Sequence, residues 1–329
     1  MSMRHSVAPD PGEASRAAFA DDVAHALTQN PRQLPCRYLY DELGSLLFEA
    51  ICRLPWYRVA RTEQSLLHTH ADAIFSRLQC VSTVVELGPG SGEKLMTLLA
   101  AGPDRDVTVH LVDVSPAALD KAASALAALP SLTVVAHEAT YETGLSALGR
   151  SSGAAGRALV VFLGSNIGNF DPPGTDALLR SIHAALGHGG ALLLGTDLVK
   201  PEAELLLAYD DPLGVTAAFN LNLLVRVNRE LGGDFDVNQF SHRAAWNAPA
   251  SRVEMHLVSR SRQRVQVRES GIDITFAAGE PIWTESSYKY RIDDLAPMLD
   301  RAGFQVIGQW QENGFALTLA AARQASRTS

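Results

Sequence analysis

The sequence predicts an α/β protein: a Rossmann-like mixed sheet ended by a β-hairpin, with a second, α+β domain interrupting it. Three observations carry this. A β-branched run with an acid, over 83–87, leads into a glycine turn and then a helical pattern. Strand and helix patterns alternate from there to residue 195. The alternation breaks over 200–285, and a helix and a hairpin follow at 292–320. Repeated βα units joined by right-handed crossovers give a doubly wound parallel sheet.

Composition sets the outer limits. The 329 residues are 47% apolar and 19% charged, which allows a sizeable core and more than one domain. A net charge of −8 argues against a nucleic-acid partner, which needs a concentrated basic face. Cys36, Cys52 and Cys80 lie far apart with no CxxC or His/Cys cluster, so they read as buried thiols in a reducing compartment, and no metal is expected. No apolar run approaches the roughly 20 residues of a membrane span. The N-terminal stretch has no hydrophobic signal core. The expectation is a cytoplasmic protein with no membrane partner.

The elements follow in order. Residues 1–19 read as a frayed tail, with helical spacing over 18–27. Aromatics crowd the next stretch: Tyr38, Tyr40, Phe48, Trp56 and Tyr57. They suit a pocket lid or a core equally well. Ser45 is placed to cap a helix over 46–53 that Pro55 ends. A helix is expected over 61–78, then a strand over 83–87, a helix over 92–101 and a strand over 107–113. Ser115-Pro116 opens a helix to about 129. Strands follow at 131–136, 158–164 and 190–195, with a helix over 176–186 capped by Thr175. The strand 158–164 is apolar throughout, as expected when helices cover both faces. Within the interruption, helices are expected over 202–210 and 215–231, with β segments at 255–261 and 264–267. A helix over 292–302 precedes a hairpin of 304–310 and 315–320, and the chain beyond 322 reads as a disordered tail.

In an open α/β sheet, ligands sit at the carboxyl ends of the strands. Three such ends carry suggestive residues. The first is Glu86-Leu-Gly88-Pro-Gly90-Ser-Gly92, whose spacing differs from the Gly-x-Gly-x-x-Gly of dinucleotide sites. The second is Asp113, which suits a ribose diol or a helix-cap turn. The third is the loop Gly164-Ser165-Asn166-Ile-Gly168-Asn169, which presents amides and a hydroxyl or forms an ordinary Asx turn. Lys94 opens the helix after the glycine turn, where a cation opposes the dipole. A ligand carboxylate or simple solvation accounts for it. Further on, Met255 and the run Trp283-Thr284-Glu285-Ser286-Ser287 offer groups for a small polar ligand.

The glycine turn resembles motif I of class I S-adenosylmethionine (SAM) methyltransferases. A longer set is more specific: Tyr38-Leu-Tyr40-Asp-x-x-Gly44-Ser45-x-Leu-Phe48, Leu54-Pro-x-Tyr57, Glu86-Leu-Gly88, Phe162-Leu-Gly164-Ser165-x-Ile-Gly168-Asn169, Ala208-Tyr209-Asp210-Asp211, Gly214 to Asn220, Asn228-Arg-Glu-Leu and Thr284-Glu285-x-Ser287-x-Lys289. Together, in order over 20–322, these resemble the histidine-specific SAM-dependent methyltransferases.

That resemblance implies an enzyme that trimethylates the α-amine of L-histidine to hercynine, within ergothioneine biosynthesis, consuming three SAM. It assigns Tyr40, Tyr57, Gly164, Asn169, Tyr209, Met255, Glu285 and Ser287 to the substrate, with Glu285 and Ser287 on the imidazole and Tyr40 and Asn169 at the reacting amine. It assigns Glu86, Gly88, Gly90, Gly92, Lys94, Asp113, Thr140 and Tyr141 to SAM. The family carries an acid before an aromatic after the third strand; here Thr140 stands before Tyr141, so a hydroxyl replaces a charged acceptor for the adenine amine. The resemblance also implies a substrate-binding domain of 20–60 and 197–286, a SAM-binding domain of 61–196 and 287–322, and a monomer. Two alternatives stand beside it: a same-fold enzyme acting on tryptophan or a histidine derivative, and a SAM-binding protein without turnover.

Overall fold

The computed structural model describes residues 11–78, 80–102, 106–129, 132–151, 157–187 and 189–323. The chain opens with α1 (Pro11–Leu27), the short β1 (Arg32–Gln33), α2 (Glu42–Arg53) and α3 (Val59–Ser76). The alternation runs β2 (Val81–Leu87), α4 (Glu93–Ala100), β3 (Val107–Asp113), α5 (Pro116–Leu126), β4 (Leu132–Glu138), α6 (Tyr141–Ser151), β5 (Arg157–Phe162), α7 (Pro172–Leu186) and β6 (Ala191–Asp197). Next come α8 (Glu202–Tyr209), α9 (Val215–Leu231), β7 (Phe240–Asn247), β8 (Arg252–Ser259), β9 (Gln263–Val267), β10 (Ile272–Phe276) and β11 (Pro281–Tyr288). The chain ends in α10 (Ile292–Arg301), β12 (Phe304–Glu312) and β13 (Phe315–Ala322).

The chain divides into two compact units. One comprises Cys52–Ala208, Trp246–Val253 and Ser286–Ser329. Its seven-stranded sheet has the order β12-β13-β6-β5-β2-β3-β4. β2 pairs in parallel with β3 and β5, while β13 is antiparallel to β6 and β12. This is the mixed sheet with a terminal hairpin expected of class I SAM methyltransferases. Its core sets Val160, Phe162, Leu192 and Leu194 of the strands against Leu178, Leu179 and Ile182 of α7 and Leu295 and Leu299 of α10. Leu159–Phe162 of β5 are buried and all apolar, as fits a strand covered on both faces.

The other unit comprises Met1–Ile51, Tyr209–Ala245 and Glu254–Glu285. It carries most of the sheet β1-β11-β8-β7 and the hairpin β9-β10. Phe235, Phe240 and Phe276 form one aromatic nucleus, with ring centroids 5.5–6.1 Å apart. The units cut the chain differently from the expected 20–60/197–286 and 61–196/287–322. Residues 52–60, 197–208, 246–253 and 286 fall with the larger sheet; α3 begins at Val59 and β6 runs on to Asp197.

Three helix starts are corrected. α1 begins at Pro11 rather than near Ala18, because proline is well tolerated in a first turn and no further proline follows within the helix; of the expected tails at 1–19 and 323–329, residues 11–19 belong to this helix, and residues 1–10 and 324–329 lie outside the described residues. α2 begins at Glu42, not after Ser45. The Asp41 carboxylate accepts from Gly44 N at 2.7 Å and its carbonyl from Ser45 N at 2.8 Å, so Asp41 is the cap. α7 begins at Pro172 and is capped by Asp171, whose Oδ1 accepts from Gly174 N at 2.8 Å; Thr175 lies inside the helix. The Ser115 cap of α5 is as expected, its Oγ accepting from Ala118 N.

The glycine turn yields a stability test. A Cβ on Gly92 would sit 2.8 Å from the backbone Cα of Ala122, at a φ of +75°, whereas one on Gly90 meets nothing within 4 Å at +55°. Gly90→Ala carries only the conformational cost, about 1–2 kcal/mol. Gly92→Ala must also push α5 away from α4, so it lowers the thermal midpoint by more. Equal losses in thermal denaturation would contradict this packing.

Candidate active site

The glycine turn stands at the carboxyl end of β2. Gly88, Gly90 and Gly92 have φ of 73°, 55° and 75°. Only glycine enters that region without strain. A Cβ on Gly88 would lie 2.7 Å from Tyr141 Oη and 2.9 Å from Asn166 Nδ2. Gly88 therefore lets a phenol and an amide approach the turn, Gly92 lets α5 approach, and Gly90 borders open space that a ligand can fill.

Glu86 lies directly behind this turn, 2% exposed. Its Oε2 is buried with no hydrogen-bond partner among the described residues. Burial, with the charges of Glu63 and Asp113, pushes its carboxyl up to about 8 against the opposing pull of Lys94. An unpartnered buried carboxyl beside an open glycine cradle fits a ligand that brings its own hydrogen-bond donor.

Lys94 has a partner that sequence reasoning missed. Its ammonium donates to Glu63 Oε2 at 2.5 Å, and the Glu63 side chain is 0% exposed against 27% for Lys94. Burial disfavours the Lys94 charge, but Glu63 outweighs it and the ammonium titrates above its ordinary range. Glu63 also accepts from Gly164 N at 2.8 and 2.9 Å. The available signal was spacing: Glu63 shares the buried face of α3 with Leu66, Leu67, Ala71 and Ile74.

Asp113 ends β3, and its Oδ1 accepts from Ser115 N at 2.9 Å, so the acid supports the turn into α5. Burial raises its carboxyl. Thr140 is exposed, and its hydroxyl accepts from Thr143 N at 3.4 Å and donates to Thr143 Oγ1 at 3.1 Å. It acts as the N-cap of α6. Tyr141 follows, edge-on to Phe162 with centroids 5.4 Å apart.

After β5, Gly164 and Ser165 both take left-handed conformations, at φ of 73° and 58°. Ser165 is held there by Asp197 N, which donates to its Oγ at 2.9 Å. The strained pair turns the chain into the short helical turn Asn166–Asn169 and leaves Asn169 half-buried at its end. In the same unit, Tyr57 and Ser287 are buried. Lys289 donates to Ser287 Oγ at 2.8 Å and pairs with Asp197 at 3.0 Å, with 0% and 2% side-chain exposure. Lys289 stood in the quoted motif without an assigned task.

The other unit holds Tyr40, Tyr209, Met255 and Glu285. Tyr40 packs edge-on against Phe48 and Phe219, each at 5.5 Å. The carbonyl of Tyr209 accepts from His242 Nε2 at 2.8 Å. The other His242 nitrogen meets Asn220 Nδ2 at 3.0 Å, and that amide also donates to the His256 carbonyl at 3.2 Å. Met255 is buried on β8, where its carbonyl accepts from Thr284 Oγ1 at 3.0 Å. Glu285 is buried on β11. Burial and the Glu285 charge push the Cys36 thiol up to about 12. Of the eight expected substrate residues, the structure thus places four in each unit.

Comparison with known proteins gives this arrangement a context. The chain matches the family described as histidine-specific, SAM-dependent methyltransferases over residues 19–324. It belongs to that family. It is therefore a SAM-dependent methyltransferase. It is 40% identical over 313 residues to the histidine N-alpha-methyltransferase of Mycolicibacterium smegmatis, covering 94% of this chain and 96% of that one. It is 41% identical over 325 residues to the histidine N-alpha-methyltransferase of Mycobacterium tuberculosis, covering 97% and 100%. Ergothioneine biosynthesis protein 1 of Schizosaccharomyces pombe is 29% identical over 85% of this chain and 37% of its own.

Glu86 has a measurable consequence for stability. Its carboxyl titrates at about 8 in the folded chain against an ordinary 4.5, so the native state holds a proton the unfolded chain gives up. The stability it contributes is complete below 4.5 and is lost as pH rises through about 8. Glu86→Gln is neutral at every pH. Thermal melts from about pH 6 to 9 will show the parent chain losing ground to Glu86→Gln; parallel curves would contradict the buried, neutral carboxyl.

Proposed function

We propose that the protein methylates the α-amine of L-histidine three times, giving hercynine in ergothioneine biosynthesis. The observation that carries this reading is the near full-length similarity to two proteins named histidine N-alpha-methyltransferase, at 40% and 41% identity. The likeness to ergothioneine biosynthesis protein 1 supports the pathway.

The residues present fit the methyl donor. Gly88, Gly90 and Gly92 supply an open backbone cradle, and Glu86 an unpartnered buried carboxyl. Lys94 answers the carboxylate of the methionine moiety, Asp113 the ribose hydroxyls, and Thr140 and Tyr141 flank the adenine. When bound, SAM supplies an electrophilic sulfonium methyl. Everything else falls to the chain.

Glu285 accepts from an imidazole N–H and Ser287 holds the second ring nitrogen. Tyr57 and Met255 wall the ring. Gly164, Asn169 and Tyr209 grip the amino-acid end. Tyr40 and Asn169 hydrogen-bond the amine, which attacks only when neutral, so its surroundings must disfavour the ammonium. Rate then comes chiefly from holding nitrogen and methyl in line. The net charge of −8 suits a small amino-acid partner rather than a nucleic acid, and the enzyme works in the cytoplasm as a monomer.

Incubation with SAM and L-histidine or L-tryptophan, read by mass spectrometry, will show mono-, di- and trimethylated histidine and unmodified tryptophan. Glu285→Ala leaves a ring N–H without its acceptor, a loss of about 1–3 kcal/mol, or roughly 10–100-fold in kcat/KM for histidine. Affinity for S-adenosylhomocysteine will not change. Unaltered histidine kinetics would remove Glu285 from the pocket.

A further inference from the structure

Glu63 lies outside every assignment made from the sequence, yet it is the most completely buried carboxylate near the glycine turn. Among the described residues its oxygens receive two groups, both assigned to the site: the Lys94 ammonium at 2.5 Å and Gly164 N at 2.8 and 2.9 Å. Room for it is made by Gly195 of β6, where a Cβ would fall 2.0 Å from Glu63 Oε1. The Lys94 ammonium also lies 3.5 Å from where a Cβ on Gly164 would be, at the start of the loop that carries Asn169.

A second acid competes for the same cation. Glu86 feels the charges of Lys94, Glu63 and Asp113, yet among the described residues its Oε2 has no hydrogen-bond partner. An ammonium on a flexible stem would satisfy that buried oxygen if nothing held it elsewhere. The anchor that holds it is Glu63.

We infer that Glu63 is a positioning residue for the methyl donor: its buried carboxylate fixes the Lys94 ammonium beside Gly164 and away from Glu86, leaving one cation for the donor's carboxylate and one unpaired acid behind the glycine turn. Glu63 does not itself touch the donor. It acts through Lys94, and through the Gly164 N–H it sets the start of the loop that grips the substrate's amino-acid end. This rests on the functional reading above.

Without the Glu63 charge, Lys94 swings onto Glu86 and both leave the donor site. The raising influence of Glu63 on Glu86 disappears while the lowering influence of Lys94 grows. The groups facing Glu86 are Glu63 from α3, Lys94 from α4 and Asp113 from β3, with Cys52 close to Lys94.

The test is S-adenosylhomocysteine binding by calorimetry, from about pH 6.5 to 9, on the full chain and on Glu63→Gln, Lys94→Met and the double variant. Glu63→Gln keeps the shape and an acceptor for Gly164 N but removes the charge. It will bind at least about tenfold more weakly, as expected for one lost charge-assisted interaction. The inflection near pH 8 in the parent chain will move to lower pH. The double variant will bind no more weakly than Lys94→Met, since a residue acting through another adds nothing once that one is gone. Unchanged affinity and inflection in Glu63→Gln would overturn the inference, as would independent, additive losses. Should Glu63→Gln fail to fold, the double variant, which leaves no unpaired charge between these two positions, decides against Lys94→Met alone. Failure of the parent chain to bind S-adenosylhomocysteine would overturn the functional reading as well.

Discussion

The structure around the glycine turn depends on one buried ion pair. Glu63 reaches from α3 beneath the edge of the sheet, takes the ammonium of α4 and the backbone N–H at the end of β5, and fits only because β6 offers a glycine there. Burying a carboxylate is costly unless its partners are close and its lone pairs are used. Here an ammonium and a backbone N–H converge on it. The pair thus joins three consecutive parts of the sheet's carboxyl edge, and a shift in any one disturbs the others. Such a pair is a poor source of stability compared with apolar packing, so its presence in an otherwise apolar interface speaks for placement.

Around that fixed point the side chains divide by task. Those expected to hold the methyl donor all lie in the unit built on the seven-stranded sheet. The expected substrate residues are shared equally between the two units, and the boundary falls between Glu285 and Ser286, inside β11. One strand therefore carries both groups assigned to the imidazole. Ser287 is tied to its own unit by Lys289 and Asp197, while Glu285 lies near Cys36. The departure at Thr140 has a structural use of its own: its hydroxyl starts α6 and so presents Tyr141 to the glycine turn.

Much of the fold could be read from residue patterns, because the relevant forces are local. The apolar β5, the Ser115-Pro116 start of α5 and the limits of α9 follow from periodicity and capping chemistry. Helix starts were less legible where two capping residues compete. Asp41 displaces Ser45, and Asp171 before two prolines displaces Thr175. The parallel pairing of β1 with β11 joins segments far apart in sequence and leaves no local trace. For the candidate site, the glycines and acids at strand ends announce themselves by position, and the residues proposed to hold the substrate by family resemblance. Glu63 does neither, and Lys289 stands in the resembling motif with no role attached to it. A buried acid on an apolar helix face and a buried lysine just past the end of a strand look, in sequence, like surface charges; only their partners reveal them.

The central claim is the proposal that this chain methylates L-histidine, with Glu285 and Ser287 assigned to the ring and Lys94, held by Glu63, assigned to the donor's carboxylate. A crystal structure with L-histidine and S-adenosylhomocysteine tests it most directly. The account predicts the imidazole within hydrogen-bond distance of Glu285 and Ser287, the amine beside Asn169, and the homocysteine carboxylate on Lys94 with Glu63 still behind it. An imidazole lying away from Glu285, or a homocysteine carboxylate held elsewhere while Lys94 stays on Glu63 alone, would contradict it.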